Sequence, residues 1–220
     1  MSESGDEIER TRRAELVLSL RSRGIRHLRT LAAIETIPRS AFAPSRLAEH
    51  AYSDRALPIA CGQTMERPSE IAKAIDALGV GELDTVLEIG SGSGYATAIF
   101  AQISRRLFTV ERWRTLADNA ERRVRALGNA DHVVFSVADG LLGLPDQGPF
   151  ERIFVSAAVE APPSALLNQL KPGGVMVLAV GPVAGQRLTR ITKARDGSLE
   201  EFTLGAARLP PAVPGVAAAL

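Results

Sequence analysis

The stretch Val86-Leu-Glu-Ile-Gly-Ser-Gly-Ser-Gly94 decides how this chain is read. The short apolar run from Thr85 to Ile89 has the composition of a buried strand. It breaks into a turn with glycine at positions 90, 92 and 94, and Tyr95 to Ser104 then reads as a helix. Strand, glycine turn and helix make a βα unit. The alternation continues downstream. Leu107 to Val110 is a strand closing on Glu111, and Trp113 to Leu127 is an amphipathic helix stopped by Gly128. Val133 to Val137 is a strand ending in Ala138-Asp139-Gly140, and Phe150 to Ala157 is another. A short helix, Pro163 to Leu170, leads through Lys171-Pro-Gly-Gly174 into the strand Val175 to Val180. Strands separated by helices predict a parallel sheet with right-handed crossovers. Arg187 to Ala194 and Leu199 to Leu204, joined at Arg195-Asp-Gly197, read as a β-hairpin at the sheet edge. Pro210 to Leu220 reads as irregular.

Upstream of the glycine turn the pattern differs. Residues 1–7 read as a solvated tail. A helix runs from Ile8 to a stop at Gly24, and a second amphipathic stretch, Ile25 to Ile37, ends at Pro38. The arginines at positions 10 to 29 read as a solvated helix face among acidic neighbours, in preference to an anion-binding surface. Residues 38–70 carry Pro38, Pro44, Pro58, Gly62 and Pro68 and read as loop-rich. A loop of that length marks a candidate site. The expected organisation is an N-terminal helical and substrate-loop region, 1–80, and an α/β ligand-binding region, 81–220, in one compact unit.

Composition excludes several classes. The chain has 220 residues and a net charge of +1, so no basic field points to nucleic acid. A single cysteine, Cys61, excludes a disulfide framework, and the separated His27, His50 and His132 offer no metal-ligand spacing. No apolar run reaches the about 18 residues of a membrane span, and the polar N-terminus lacks a signal-peptide core. A cytoplasmic location with no membrane partner is expected.

Three ligand classes compete for the glycine turn. A phosphate-binding loop needs Gly-Lys-[Ser/Thr], and no lysine follows. The dinucleotide pattern needs glycine at position 95, which is Tyr95. The spacing here is G-x-G-x-G, with Glu88 two residues before Gly90. An acid there suits a ligand bearing positive charge. Glu111, ending the second strand, can accept from both hydroxyls of a ribose, and Asp139, ending the third, from an adenine amino group. Acids at three successive strand ends point to a nucleoside with no phosphate, and so to S-adenosylmethionine. The candidate cofactor residues are Glu88, Gly90, Ser91, Gly92, Gly94, Glu111, Asp139 and Gly140.

This constellation resembles the class I S-adenosylmethionine-dependent methyltransferases. The resemblance implies a Rossmann-like, seven-stranded, mostly parallel sheet with an antiparallel edge strand, helices on both faces and an N-terminal helical extension. Within that class, Ile37-Pro-Arg39, Phe42, Ala51-Tyr-Ser-Asp54, Leu57-Pro-Ile59, Gly62-Gln-Thr64 and Pro68 resemble the protein-L-isoaspartate (D-aspartate) O-methyltransferase family in order and spacing. Leu87 to Tyr95, Val110-Glu111, Asp139-Gly140, Gln169-Leu-Lys-Pro-Gly-Gly174 and Val180-Gly181 continue the match, which covers roughly residues 25–205. The resemblance implies methylation of the α-carboxylate of L-isoaspartyl residues in damaged proteins and peptides. A carboxylate with a reference pKa of about 3.9 is already ionised at neutral pH, so that chemistry needs no general base.

Two positions depart from the family pattern. The family has Gly-Gln-Thr-Ile-Ser, where the hydroxyl orients the substrate carboxylate. This chain has Gly62-Gln-Thr-Met-Glu66. An ionised glutamate only accepts hydrogen bonds, so a carboxylate substrate needs Glu66 protonated, turned away or paired with Arg67. Thr64 remains as a donor, and Glu66 and Thr64 are the candidate catalytic residues. Near the C-terminus, Arg208-Leu-Pro-Pro211 stands where the family has an aromatic-Val-Pro segment. A methyltransferase for a different carboxylate or nucleophile, or a cofactor-binding protein without turnover, are the alternatives. Around the turn, Tyr95 and Trp113 either line the pocket or pack on the sheet and its helices. Asp54 either approaches the substrate or makes a local turn. Cys61 reads as a small packed residue, and Ser156-Ala157-Ala158 either leave room for substrate or simply pack in the sheet.

Overall fold

The computed structural model describes residues 3–128 and 130–218. The chain opens with α1 (Glu3–Ser22) and α2 (Leu28–Thr36). Two 3-10 turns follow, Arg39–Phe42 and Ser45–His50, and then a hairpin of β1 (Leu57–Pro58) and β2 (Thr64–Met65). Next come α3 (Pro68–Leu78), β3 (Thr85–Ile89), α4 (Tyr95–Ile103), β4 (Arg106–Glu111), α5 (Arg114–Ala126) and β5 (Val133–Val137). The remainder is β6 (Phe150–Val159), α6 (Ser164–Gln169), β7 (Leu170–Val180), β8 (Arg187–Lys193) and β9 (Leu199–Ala206).

The main sheet has seven strands in the order β5-β4-β3-β6-β7-β8-β9. The ladders from β5 to β7 are parallel, and the two at the far edge, β7–β8 and β8–β9, are antiparallel. All five residues of β3 are buried, as expected of a strand covered on both faces. Its side chains alternate between two cores. Val86 joins Leu107, Phe154 and Val177 beneath α1 to α4, with Leu20, Ile34, Ile75 and Phe100. Leu87 joins Phe108, Ile153 and Met176 on the opposite face, against Leu166 of α6. Strand β3 pairs with β4 on one side and β6 on the other, so the chain order reverses there. A crevice opens beyond the carboxyl ends of strands at such a point.

Local chemistry sets the boundaries. Gly24 at φ +95 stops the first helix and Gly79 at φ +59 caps α3. In α5, Leu116, Ala117, Ala120 and Val124 form the buried stripe.

Four sequence expectations need correction. The tail read for residues 1–7 is helical from Glu3, while positions 1 and 2 lie outside the described residues. The loop-rich reading of 38–70 misses the start of α3 at Pro68. The Lys171–Gly174 turn belongs to β7, whose pairing with β6 is irregular there because Leu170 matches Phe150 and Val175 matches Arg152. The C-terminal segment is irregular in geometry, but it is tied down. The Gln186 amide donates to the Leu209 carbonyl at 2.9 Å and accepts from the Leu209 N–H at 2.7 Å. Ala158 donates to Pro210 O at 2.8 Å and accepts from Ala212 N at 2.7 Å. The described chain therefore ends as a strap across the carboxyl ends of β4, β5 and β6.

Candidate functional site

The reversal point opens into a cavity of about 340 Å³. One end is walled by Gly90, Ser91, Gly92, Glu111 and Trp113, and the other by Thr64, Glu66 and Ser156, with the strap residues Pro210 to Val213 over it.

At the first end the backbone does most of the shaping. Gly90, Gly92 and Gly94 all have positive φ. A Cβ on Gly92 would have only Ile59 Cδ1 near it, at 3.7 Å, so the missing side chain leaves open space for a ligand. The Glu111 carboxylate accepts from Gly92 N and from Trp113 N, both at 3.0 Å. Two backbone donors thus fix its direction, and each oxygen keeps a lone pair for a further donor. The hydroxyl of buried Ser91 and Oε1 of Glu88 have no partner among the described residues. This arrangement fits a ribose with two hydroxyls to donate.

Not every sequence-derived candidate reaches the cavity. Glu88 is fully buried under the turn, where its Oε2 accepts from Thr97 and Thr109, each at 2.7 Å. Burial pushes its pKa up to about 8 against the pull of those hydroxyls, and Glu66 and Glu111 add to the rise. It is a foundation of the turn and does not line the cavity as expected. Gly94 is also a packing position: a Cβ there would meet Ala120 Cα at 3.0 Å. Asp139 caps its own turn through Leu141 N at 2.9 Å and holds the strap through Gly215 N at 2.8 Å, and it is not among the residues that line the cavity. Gly140 does line it, pressed against Ile89, whose Cγ2 leaves no room for a Cβ. Arg112 completes the strap's anchorage, donating to Gly215 O at 3.1 Å and accepting from Ala217 N at 2.9 Å.

At the second end Glu66 faces the cavity. It is neither turned away nor paired with Arg67, whose nearest carboxylate is Glu70 at 4.0 Å. Ser156 Oγ donates to Glu66 Oε1. Burial raises the Glu66 pKa, the Ser156 hydrogen bond and the Arg39 charge oppose the rise, and Glu70 adds to it. Arg39 is only 1% exposed and has no carboxylate in salt-bridge range among the described residues. Its Nε donates to Ala51 O at 2.8 Å, its Nη2 donates to the Glu66 carbonyl, and the guanidinium lies 4.6 Å from the Tyr95 ring centre. Its N–H donates at 2.9 Å to the Tyr52 hydroxyl, which in turn donates to Glu9 of α1. Arg39 therefore clamps the hairpin that carries Glu66.

The remaining candidates settle as follows. Tyr95 packs in the core, its hydroxyl pushed up to about 12 by burial. Trp113 lines the cavity. Asp54 takes a structural role, accepting from Ser69 N at 3.1 Å and pairing with Arg23 at 2.7 Å. Cys61 is partly buried in the hairpin bend at φ +58. Sequence reasoning missed the Arg39 clamp, the Ser156–Glu66 contact and the strap. Arg39 and Ser156 stood in quoted motifs, but their partners lie 27 and 90 positions away. Among the described residues no cluster of His, Cys, Asp or Glu could hold a metal, and no helix is long and apolar enough to cross a membrane.

Comparison with known proteins gives a consistent picture. The family model described as protein-L-isoaspartate(D-aspartate) O-methyltransferase matches residues 11–216. A protein-L-isoaspartate O-methyltransferase of Azorhizobium caulinodans is 46% identical over 215 residues, covering 97% of this chain and 98% of that protein. The Xanthobacter autotrophicus protein of the same name is 43% identical over 221 residues, covering all of both. A solved protein-L-isoaspartate O-methyltransferase superposes with a TM-score of 0.79 at 26% identity, over 91% of this chain and 66% of that one. A Plasmodium falciparum structure in complex with S-adenosyl-L-homocysteine shares the fold, with a TM-score of 0.77 at 20% identity, over 90% and 97% of the two chains.

Proposed function

The chain belongs to the protein-L-isoaspartate (D-aspartate) O-methyltransferase family, and from that membership we infer how its own residues divide the work. The reaction is S-adenosylmethionine-dependent methylation of the α-carboxylate of L-isoaspartyl residues in damaged proteins and peptides. The reading places those substrates in the cytoplasm. Gly90, Ser91 and Gly92 line the seat of the cofactor, Glu111 receives its ribose hydroxyls, and Trp113 and Gly140 wall its base. When bound, the cofactor supplies a methyl group on a positively charged sulfur, a good leaving group.

The chain's residues have little covalent chemistry to do. The substrate carboxylate arrives ionised and brings its own electron pair, so no side chain removes a proton. Positioning and exclusion of water carry the catalysis. Thr64 offers a hydroxyl at the acceptor end. Glu66 must be neutral there, because two like charges 4 Å apart repel by roughly 4 kcal/mol at an effective dielectric near 20. Burial favours that neutral form. The observation that carries this reading is the continuity of one cavity from Gly90 and Glu111 to Thr64 and Glu66.

The test is a methyl-transfer assay on paired isoaspartyl and aspartyl peptides across pH. The isoaspartyl peptide alone is turned over, and kcat/KM falls as pH rises through the Glu66 titration. Glu66→Gln, neutral at every pH, keeps activity and loses that fall. A protein that binds cofactor yet methylates neither peptide would overturn the substrate assignment.

A further inference from the structure

The hydroxyl that position 66 lacks has a counterpart on the opposite wall. Ser156 lies one residue beyond Val155, which is in register with Ile89, so it stands beside Gly90. A Cβ on Gly90 would be 3.5 Å from Ser156 Cβ. This is the sheet's reversal point, where the two ends of the cavity meet, and Ser156 lines the cavity. Its Oγ and Glu66 Oε1 share a hydrogen bond.

We propose that Ser156 is the hydroxyl donor to the isoaspartyl carboxylate in this chain, released for that role by Glu66; the proposal rests on the methyltransferase reading above. A serine hydroxyl has one proton to give and lone pairs to accept with. Facing an ionised Glu66, Ser156 spends its proton on Oε1. Facing the neutral acid, Ser156 accepts from the Glu66 hydroxyl, and its own proton turns to the substrate. The pair then delivers what a serine at position 66 would have delivered directly. No bond other than hydrogen bonds changes in this exchange, and no proton leaves the pair.

The surroundings of Glu66 suit this behaviour. Arg39 faces it from the 3-10 turn behind the hairpin, donating to its carbonyl. Glu70 on α3 brings negative charge, while Glu88 on β3, its pKa raised to about 8 by burial, stands neutral beneath the turn. Lys73 and Arg208 line the small pocket on its far side. Ser156 stands at the irregular end of β6, just past its last pairing with β3, and Thr64 on the two-residue β2.

The experiment compares wild type with Ser156→Ala, Glu66→Ser and the double variant, in peptide turnover and in cofactor affinity. Ser156→Ala should lower kcat/KM on the isoaspartyl peptide by roughly 10–100-fold, the range of one hydrogen bond to a charged group. Its cofactor affinity should stay unchanged, which also certifies the fold. The fall with rising pH should move to higher pH, because the hydrogen bond that favours ionised Glu66 is gone. The double variant, with a hydroxyl restored at position 66, should return to within a few-fold of Glu66→Ser alone. Undiminished activity in Ser156→Ala, or a loss that Glu66→Ser does not recover, overturns the proposal while leaving the methyltransferase reading intact. A wild type inactive on isoaspartyl peptide overturns that reading and this proposal with it.

Discussion

The two ends of the cavity are built in different ways. The cofactor end is one short segment and its neighbours: a strand, a glycine turn and Glu111 held by two backbone N–H groups. The acceptor end is assembled from the hairpin, the end of β6, a buried arginine in a 3-10 turn and the C-terminal strap. The first is specified by backbone geometry and local spacing. The second is specified by side chains that meet across the fold. A substitution therefore reveals which end it belongs to by what it spares.

Gly92→Val should give the largest effect. A β-branched side chain at φ +52 is strained and fills the open space over the turn. Calorimetry should detect no cofactor binding, with the far-ultraviolet circular dichroism spectrum retained; binding at wild-type strength would move the seat away from the turn. Glu88→Gln comes next and probes the foundation of the same end. The folded state holds the Glu88 proton up to about pH 8, whereas the unfolded chain releases it near 4.5, the ordinary value for a glutamate. Rising pH therefore favours unfolding across that window, by up to ~4 kcal/mol over three units. Urea titrations at pH 5 and pH 8 should show this loss in wild type and its reduction in the variant; the same change in stability in both proteins would mean Glu88 stays ionised.

Arg39→Met should strike the other end alone. It leaves the Ala51 and Glu66 carbonyls without their donor, at a cost of ~1–3 kcal/mol each when nothing replaces it. Lower urea stability and weak peptide turnover, with cofactor affinity within about twofold of wild type, keep the two ends separable. A matching loss of cofactor affinity would show that they are one unit. Glu111→Ala, about 1–3 kcal/mol in cofactor binding, completes the contrast. An unchanged dissociation constant would remove Glu111 from the ribose role.

The same division governs what could be read before the structure. Thr85–Ile89 and Val133–Val137 fall where the sequence puts them, because an apolar run bounded by turn residues is a local signal. Gly90, Ser91, Gly92, Glu111 and Gly140 line the cavity for the same reason. Helix α3 escaped because no side chain of its N-cap residue, Arg67, caps it. Asp54, 15 positions upstream, accepts from Ser69 N and supplies that bond instead. Glu88 and Asp139 stand near the strand ends as expected, but each also carries protein hydrogen bonds that the spacing does not show. Spacing locates a carboxylate without saying whether Thr97, Thr109 or Gly215 already claims it. The identity of residue 66 was legible as a departure. Its contact with Ser156 was not, since the two meet only when β6 lies beside the hairpin.

The strap has a consequence for how the molecule holds together. Gly215 reaches back to Asp139 across 76 positions and to Arg112 across 103. Such contacts close long loops, and loop closure costs entropy that their contact energy has to offset. The roof of the cavity therefore depends on contacts between distant parts of the chain, and a chain that lacks them lacks a finished binding site. Cofactor then binds the completed state alone and stabilises it in proportion to the logarithm of its concentration. Loss of the strap's anchors would thus be read as weakened cofactor stabilisation of the fold.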